Sequence, residues 1–441
     1  MRLSVWTRAR RPGLMIAVCA LVIFALPSSA GAHAALTMAT PRWGAVLAAA
    51  PHALRLVFDE DVVPRYARVD VVTAHGENLS GAPRLAGPVA TVPLRPAPAG
   101  SYTVRWRMVA SDDGHATEGA YSFGVRVRPL PPAPVSALNI PVAPQLLAWL
   151  QFLGVALTGG MLTFRAIVSG PAARALGEAE ARDARLAIWA AVAGAVIALH
   201  AGVLAVLAGA YPSGGGGLSG FTSAEIEPIR VDTHLGQAWT LMSFAWLGVL
   251  ALLVAAWVTP RKRERLFASA GLLSLAIAFG ISWASHPASR GTLALVADYA
   301  HLLAGALWLG GLVALALVAG AARSVPRAAR EAIVRTCILR FSKLALPTVA
   351  MVALAGLYLA LRALPTPSAL LSTGYGITLL IKSAVVLGAL ALGGYHRSFV
   401  VPRLAAGAPV ATIRRTLALE LGLLLTVFAL AAILSQSAPP S

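Results

Sequence analysis

This 441-residue chain has little cysteine and few acidic residues. Of its two cysteines, Cys19 lies in an N-terminal segment that reads as a removable leader, which leaves Cys337 alone. A single thiol excludes an internal disulfide and any Cys-x-x-Cys metal site, so a soft metal would have to be held by His, Met and carboxylate. Asp and Glu number 18 against 36 Lys and Arg, and charged residues of both signs make up only 12% of the chain. No Walker A or aspartyl-phosphate motif is present, so the sequence offers no nucleotide-driven engine. Apolar residues are abundant instead. At 58% hydrophobic, with several apolar stretches of 18 residues or more, the chain reads as a membrane protein. Its formal charge of +18 would suit nucleic acid, but most basic residues sit in short segments between apolar stretches, where they orient helices. No nucleic-acid partner is expected.

Residues 1–32 have the three parts of a secretory signal: basic Arg2, Arg8, Arg10 and Arg11, an apolar run from Leu14 to Leu26, and small residues at Ala30-Gly31-Ala32. An uncleaved anchor helix is the alternative. Cleavage after Ala32 would make His33 the first residue.

Residues 33–128 read as an exported all-β domain, a Greek-key sandwich or barrel. Tyr102, Val104, Trp106 and Met108 alternate with polar residues, as do Tyr121, Phe123, Val125 and Val127, while Leu54, Leu56 and Phe58 mark another strand. Pro129, Pro131, Pro132 and Pro134 then stiffen a linker over 129–145. The remainder, 146–441, is an α-helical polytopic domain. Its eight apolar segments fall at 146–168, 186–210, 235–258, 266–284, 293–321, 344–361, 375–395 and 416–435, each near the ~20 residues needed to span a bilayer. Pro347 should kink the sixth.

Counting charge orients the bundle. With the β-domain outside, the inner connections at 165–185, 259–265, 322–343 and 396–415 carry 18 Lys and Arg, whereas the outer ones carry only Arg230, Arg290 and Arg362. That is the positive-inside pattern, and it places both the N-terminal domain and the C-terminus on the extracytoplasmic side of a bacterial inner membrane.

Two groups of residues are candidates for metal chemistry. An N-terminal His33 offers an amine and an imidazole that can chelate one ion. Asp113-Gly114-His115 adds a carboxylate and a second imidazole on a short turn. Three nitrogens and one oxygen suit Cu(II) better than Zn or Mg. Taken alone, the Asp-Gly-His triplet also reads as a plain polar turn. His52 and His75 read as solvated loop residues. Within the membrane, ionisable groups are costly and are functional candidates by default. These are His200, Asp298, His301, Lys382 and Glu420, with His234 and His286 near outer helix ends. Asp298 and His301 share a helix face. Together with Met242 they would form a copper path leading in from the outer side. The alternatives are hydrogen bonding between helices and an Asp298–Lys382 ion pair. Glu420 has no evident partner.

His33-Ala34, Thr40-Pro41, Gly44, Leu47, Pro51, Leu54 to Phe58 and Glu60, with Tyr102 to Trp106 and Ser111 to His115, Gly119 and Phe123, resemble the periplasmic copper-binding family CopC. That resemblance implies a Cu(II) site made of His33, Asp113 and His115. With only Met38 and Met108 in the domain, a methionine-rich Cu(I) site is not carried over. Asp298-x-x-His301, Ala306 to Leu312, Arg340-Phe-Ser342, Thr373-x-Tyr375-Gly376 and Lys382 resemble the CopD membrane family of copper resistance and uptake proteins. Where many CopD relatives have Asn-Arg, this chain has His396-Arg397.

The expected function is copper binding at the outer face of the membrane and copper import or delivery across it, in homeostasis or resistance. The expected partners are copper ions, the lipid bilayer and periplasmic copper proteins, and no enzymatic activity is expected. Two alternatives remain open: a haem-binding or redox protein using His200 with His286 or His301, and a copper store or sensor that does not transport.

Overall fold

The computed structural model describes residues 36–96, 98–111, 116–132, 143–174, 178–210, 230–231, 233–285, 291–321, 326–364 and 366–437. The leader 1–32, His33, Asp113, His115, His286 and most of the linker lie outside them.

The N-terminal part is a two-sheet β-sandwich. Its strands are β1 (Leu36–Thr40), β2 (Val46–Leu47), β3 (Ala53–Phe58), β4 (Arg68–Thr73), β5 (Arg84–Ala86), β6 (Val89–Pro93), β7 (Gly100–Val109) and β8 (Ala116–Val125). One sheet has the order β1-β3-β6-β5 and the other β2-β8-β7-β4, with β2 parallel to β8. Period-2 alternation decides which side chains face inward. Leu54, Leu56 and Phe58 of β3 meet Tyr102, Val104 and Met108 of β7 and Tyr121 and Phe123 of β8, all buried. Trp106 is half-buried because its indole lies over Gly119, its cross-strand neighbour, where any Cβ would overlap the ring. The alternation read into Val127 stops short. β8 ends at Val125, Arg126 takes a left-handed backbone (φ 57°), and Val127 is exposed.

Among the described residues, eight helices follow that are long and apolar enough to cross a membrane: α1 (Pro144–Ala172), α2 (Ala184–Val206), α3 (Leu235–Val258), α4 (Pro260–Trp283), α5 (Thr292–Gly320), α6 (Arg327–Ala363), α7 (Gly374–Ala405) and α8 (Arg415–Ser435). Several outrun the expected segments. α6 begins 17 residues before the expected start and continues on both sides of Pro347, so the basic stretch read as a connection is largely helix. Residues 396–405, also read as a connection, prolong α7 through a π-helical turn at His396–Val400. Residues 327–343 hold no Pro or Gly to stop the helix, and Pro402 is accommodated directly after the π-helical turn, whereas apolar content alone sets the expected limits.

The centre of the bundle is the crossing of α1 and α5. A Cβ on Gly160 would overlap the carbonyl of Ala306, and one on Gly310 would overlap the carbonyl of Ala156, so two backbones touch with no side chain between them. Small residues at such a contact are the usual means of holding helices together in lipid. Val206 at the end of α2 packs against Trp239 on α3 and against Tyr66 of the sandwich, which joins the two parts at that end of the bundle. Gly310→Val should therefore sharply reduce the yield of folded protein in detergent. Gly320→Ala, where a Cβ meets nothing within 4 Å, should leave the elution profile unchanged.

Candidate metal centre

In the sandwich, the strand ends that flank the expected copper ligands lie at the same end. The first residue of β1, Leu36, pairs with Phe58, the last residue of β3. Three residues later Asp61 accepts a hydrogen bond from the Ser111 amide at 2.9 Å, and Val62 pairs with Ala110 at the base of the β7–β8 connection. The last ladder pair of that hairpin is Val109 with Ala116. Chain leaving β1 backward and chain leaving β7 forward therefore start from neighbouring points. Asp59, Glu60 and Asp61 join them and give this end an acidic character that favours a cation. Met108 is buried in the core and Met38 is exposed, while His52 and His75 are exposed. Tyr121 is buried with no hydrogen-bond partner for its hydroxyl, and burial pushes its phenol upward from the ordinary value, so it stays neutral.

In the membrane part, α5 presents Asp298 and His301 on one face. Asp298 accepts a hydrogen bond from the Ser285 hydroxyl at 3.2 Å, from the residue just before His286. The Nδ1 of His301 lies 3.0 Å from the Val352 carbonyl on α6. A carbonyl only accepts, so Nδ1 carries the proton and Nε2 keeps a free lone pair. Donation of the second ring nitrogen to a carbonyl is the usual support of a metal-binding imidazole. Gly356, one turn along α6, makes room for the ring, since a Cβ there would come within 2.8 Å of Cε1. Lys382 on α7 is electrostatically coupled to both Asp298 and His301. Lys382 makes no ion pair within 4 Å with Asp298, so what joins the helices here by contact is the His301–Val352 hydrogen bond between α5 and α6.

The remaining candidates lie elsewhere. His200 is exposed on α2, with its Nδ1 turned back 2.8 Å from the Val196 carbonyl of its own helix. Met242 is buried in a separate cavity lined by Gln151, Gly202, Trp239, Ser243 and Trp246, with its sulfur packed where Gly280 lacks a side chain. His234 directly precedes Leu235 of α3, in the helical turn capped by Thr233. Among the described residues, no cluster of three or more His, Cys, Asp or Glu is found.

Two polar pairs were missed. Glu420 on α8 accepts from the Trp308 indole N–H of α5 at 2.9 Å and lies 3.0 Å from Nδ1 of His396 on α7, all three buried. Arg165, 1% exposed on α1, pairs with Glu264 at 3.0 Å and stacks over Phe267. The only signal was an ionisable residue within or beside an apolar run. The partners lie roughly a hundred residues away for two of the contacts, and no local spacing reveals such a pairing.

The three parts of the chain each match a family model: the CopC domain over residues 36–126, the copper resistance protein D-like N-terminal domain over 140–296, and copper resistance protein D over 335–434. The chain belongs to the CopC–CopD fusion family. It is 25% identical over 395 residues to copper transport protein CutJ of Bacillus subtilis, covering 85% of this chain and 70% of the relative. The CopC part is 34% identical over 122 residues to protein YobA of Escherichia coli, covering 26% of this chain and 94% of YobA. Among solved structures it is similar to CopC from Methylosinus trichosporium OB3b (28% identity, TM-score 0.21, covering 23% of this chain and 100% of the other). It is also similar to PcoC, a methionine-rich copper resistance protein from E. coli (28% identity, TM-score 0.20, 21% and 99%). A copper-related role in a multi-pass membrane protein follows from the family.

The coupling of Lys382 to Asp298 gives the CopD part a testable signature. Asp298→Asn or Lys382→Met alone leaves one charge without its counter-charge and should lower thermal stability by up to about 3 kcal/mol. The double variant should lose less than the two singles added together, as measured by unfolding in detergent.

Proposed function

We propose that the CopC part captures Cu(II) outside the membrane through His33, Asp113 and His115, and that the CopD part receives copper at Asp298 and His301 and carries it inward. The observation that carries this reading is His301. Its Nδ1 is committed to Val352 and its Nε2 lone pair is left free, on a helix face shared with a carboxylate. His286, His234 and Met242 would serve as further contacts on the way in, and His200, exposed on the outside of the bundle, contributes least. The ladder geometry supports the exported site, since it starts the segments bearing His33 and the Asp113–His115 pair from the same end of the sandwich.

Charge and contact both support the proposed orientation. The sandwich packs at the end of the bundle where α2 meets α3, opposite the basic connections, which the positive-inside rule keeps in the cytoplasm. The leader 1–32 would direct the CopC part outward, and both termini of the mature chain would then be extracytoplasmic. Periplasmic copper proteins are the natural donors. The chain acts as a binder and carrier of copper rather than as an enzyme. The haem alternative needs His200 to face a second axial histidine inside the bundle, and His200 points outward instead.

Two measurements test the reading. One residue added before His33 should weaken Cu(II) binding of the exported part sharply, because the α-amine then moves away from the imidazole; unchanged affinity would remove the N-terminal site. His301→Ala in reconstituted vesicles should abolish copper entry while Cu(II) binding by the sandwich persists. Copper entry at the wild-type rate in this folded variant would exclude His301 from the path.

A further inference from the structure

The polar cluster deeper along α5 is left unused by the copper reading. Asp298, His301, Gly305 and Trp308 follow one another at three- and four-residue steps, so all lie on one face of α5. Trp308 is seven residues beyond His301, about 10 Å along the axis. Its indole N–H donates to one oxygen of Glu420 and the Nδ1–H of His396 to the other. Both carboxylate oxygens of Glu420 are therefore engaged by N–H groups. The remaining functional atom is Nε2 of His396, which is buried and has no hydrogen-bond partner. The His396 side chain is only 9% exposed and that of Glu420 only 6%.

We propose that the His396–Glu420 pair, fixed by Trp308, is a proton-binding site of the membrane domain, which takes up and releases one proton at Nε2 of His396. With Nε2 bare, the cluster holds an uncompensated negative charge inside an apolar bundle, which is costly. With Nε2 protonated, the charge is cancelled by an imidazolium–carboxylate pair, but a buried N–H is left without an acceptor. Each state carries one defect, so neither locks the site, and an imidazole is the side chain whose charge changes near neutral pH. The proton comes from the basic face. His396 opens the π-helical turn His396–Val400, whose next three residues, Arg397, Ser398 and Phe399, are exposed. Single π-helical turns of this kind often mark functional positions.

The charged surroundings are simple. α8 supplies Glu420 and, at its start, exposed Arg415. α7 supplies Tyr395, Arg397, whose guanidinium donates to the Ser342 carbonyl at 3.3 Å, and Arg403. α6 supplies exposed Arg340 and Lys343. α5 brings no ionisable group nearer than His301. A link to cargo rests on the transport reading above: α5 carries His301 and Trp308 on one rigid face, so copper arriving at the first and a proton arriving at the second act on the same helix.

The test uses the full chain in lipid nanodiscs with 15N-labelled histidine. One Nε2 signal should change protonation as pH falls from roughly 8 to 5. That signal should vanish in His396→Asn and move to lower pH in Glu420→Gln. Trp308→Phe keeps both ionisable groups and should shift it the opposite way, which identifies the site even if His396→Asn does not fold. A His396 ring with constant protonation throughout would overturn the proposal. In vesicles, copper entry and internal pH are then followed together. Proton movement accompanying copper in the wild type and lost in His396→Gln supports the link, while equal proton movement in both overturns it. Absence of copper entry in the wild type would count against the transport reading, and the nanodisc titration would still decide the proton site.

Discussion

Lipid is as apolar as leucine, so a bundle in a membrane gains nothing by hiding leucines from it. The CopD part must be held by close backbone approach and by a few polar contacts, and the structure shows both. Gly160 and Gly310 let α1 and α5 meet backbone to backbone, and α5 in turn carries Asp298, His301 and Trp308 toward α6, α7 and α8. Moving that crossing by the width of one methyl group would displace every polar contact that α5 makes. The sandwich obeys the opposite rule. It is surrounded by water and held by a continuous apolar core of Leu54, Leu56, Tyr102, Val104 and Phe123.

Polar groups inside the bundle are few, and each polar cluster is tied to more than one helix. Arg165 with Glu264 and Phe267 joins α1 to α4; Glu420 with His396 and Trp308 joins α8, α7 and α5; His301 joins α5 to α6 through a carbonyl. Removing one partner of such a set leaves a buried charge uncompensated, which costs far more than the contact itself contributes. Such groups therefore act as registers for the helices around them, and the same desolvation that makes them costly makes their protonation and ligand binding responsive.

Much of the architecture was legible in the sequence because it depends on local pattern. Period-2 alternation located β3, β7 and β8, and apolar length located all eight spanning helices. Helix ends were not legible, since hydropathy marks where lipid begins and not where hydrogen bonding stops; α6 and α7 both continue well into basic sequence. Val127 failed because alternation cannot foresee the left-handed turn at Arg126. Matched depth in two spans correctly put Asp298 and Lys382 within electrostatic reach of each other, but they form no ion pair within 4 Å, whereas Glu420 looked solitary. Its partner His396 lies just past the apolar run of the seventh segment, and Trp308 is not ionisable, so neither stands out in the sequence.

α6 has a geometric consequence. Its 37 residues extend about 55 Å, whereas the hydrocarbon layer is about 30 Å thick. The surplus carries Arg327, Arg330 and Arg335 beyond the bilayer, while the embedded portion holds the carbonyl of Val352 and the gap at Gly356 that seat the His301 ring. That surplus is not a free arm: Ile333, Val334, Cys337 and Ile338 are buried in the bundle core, and Arg335 donates to the carbonyls of Gly407 and Ala408 in the link between α7 and α8. One helix thus ties the link that follows α7 to the carbonyl and the gap that seat the imidazole, so a displacement of that link would be felt at His301.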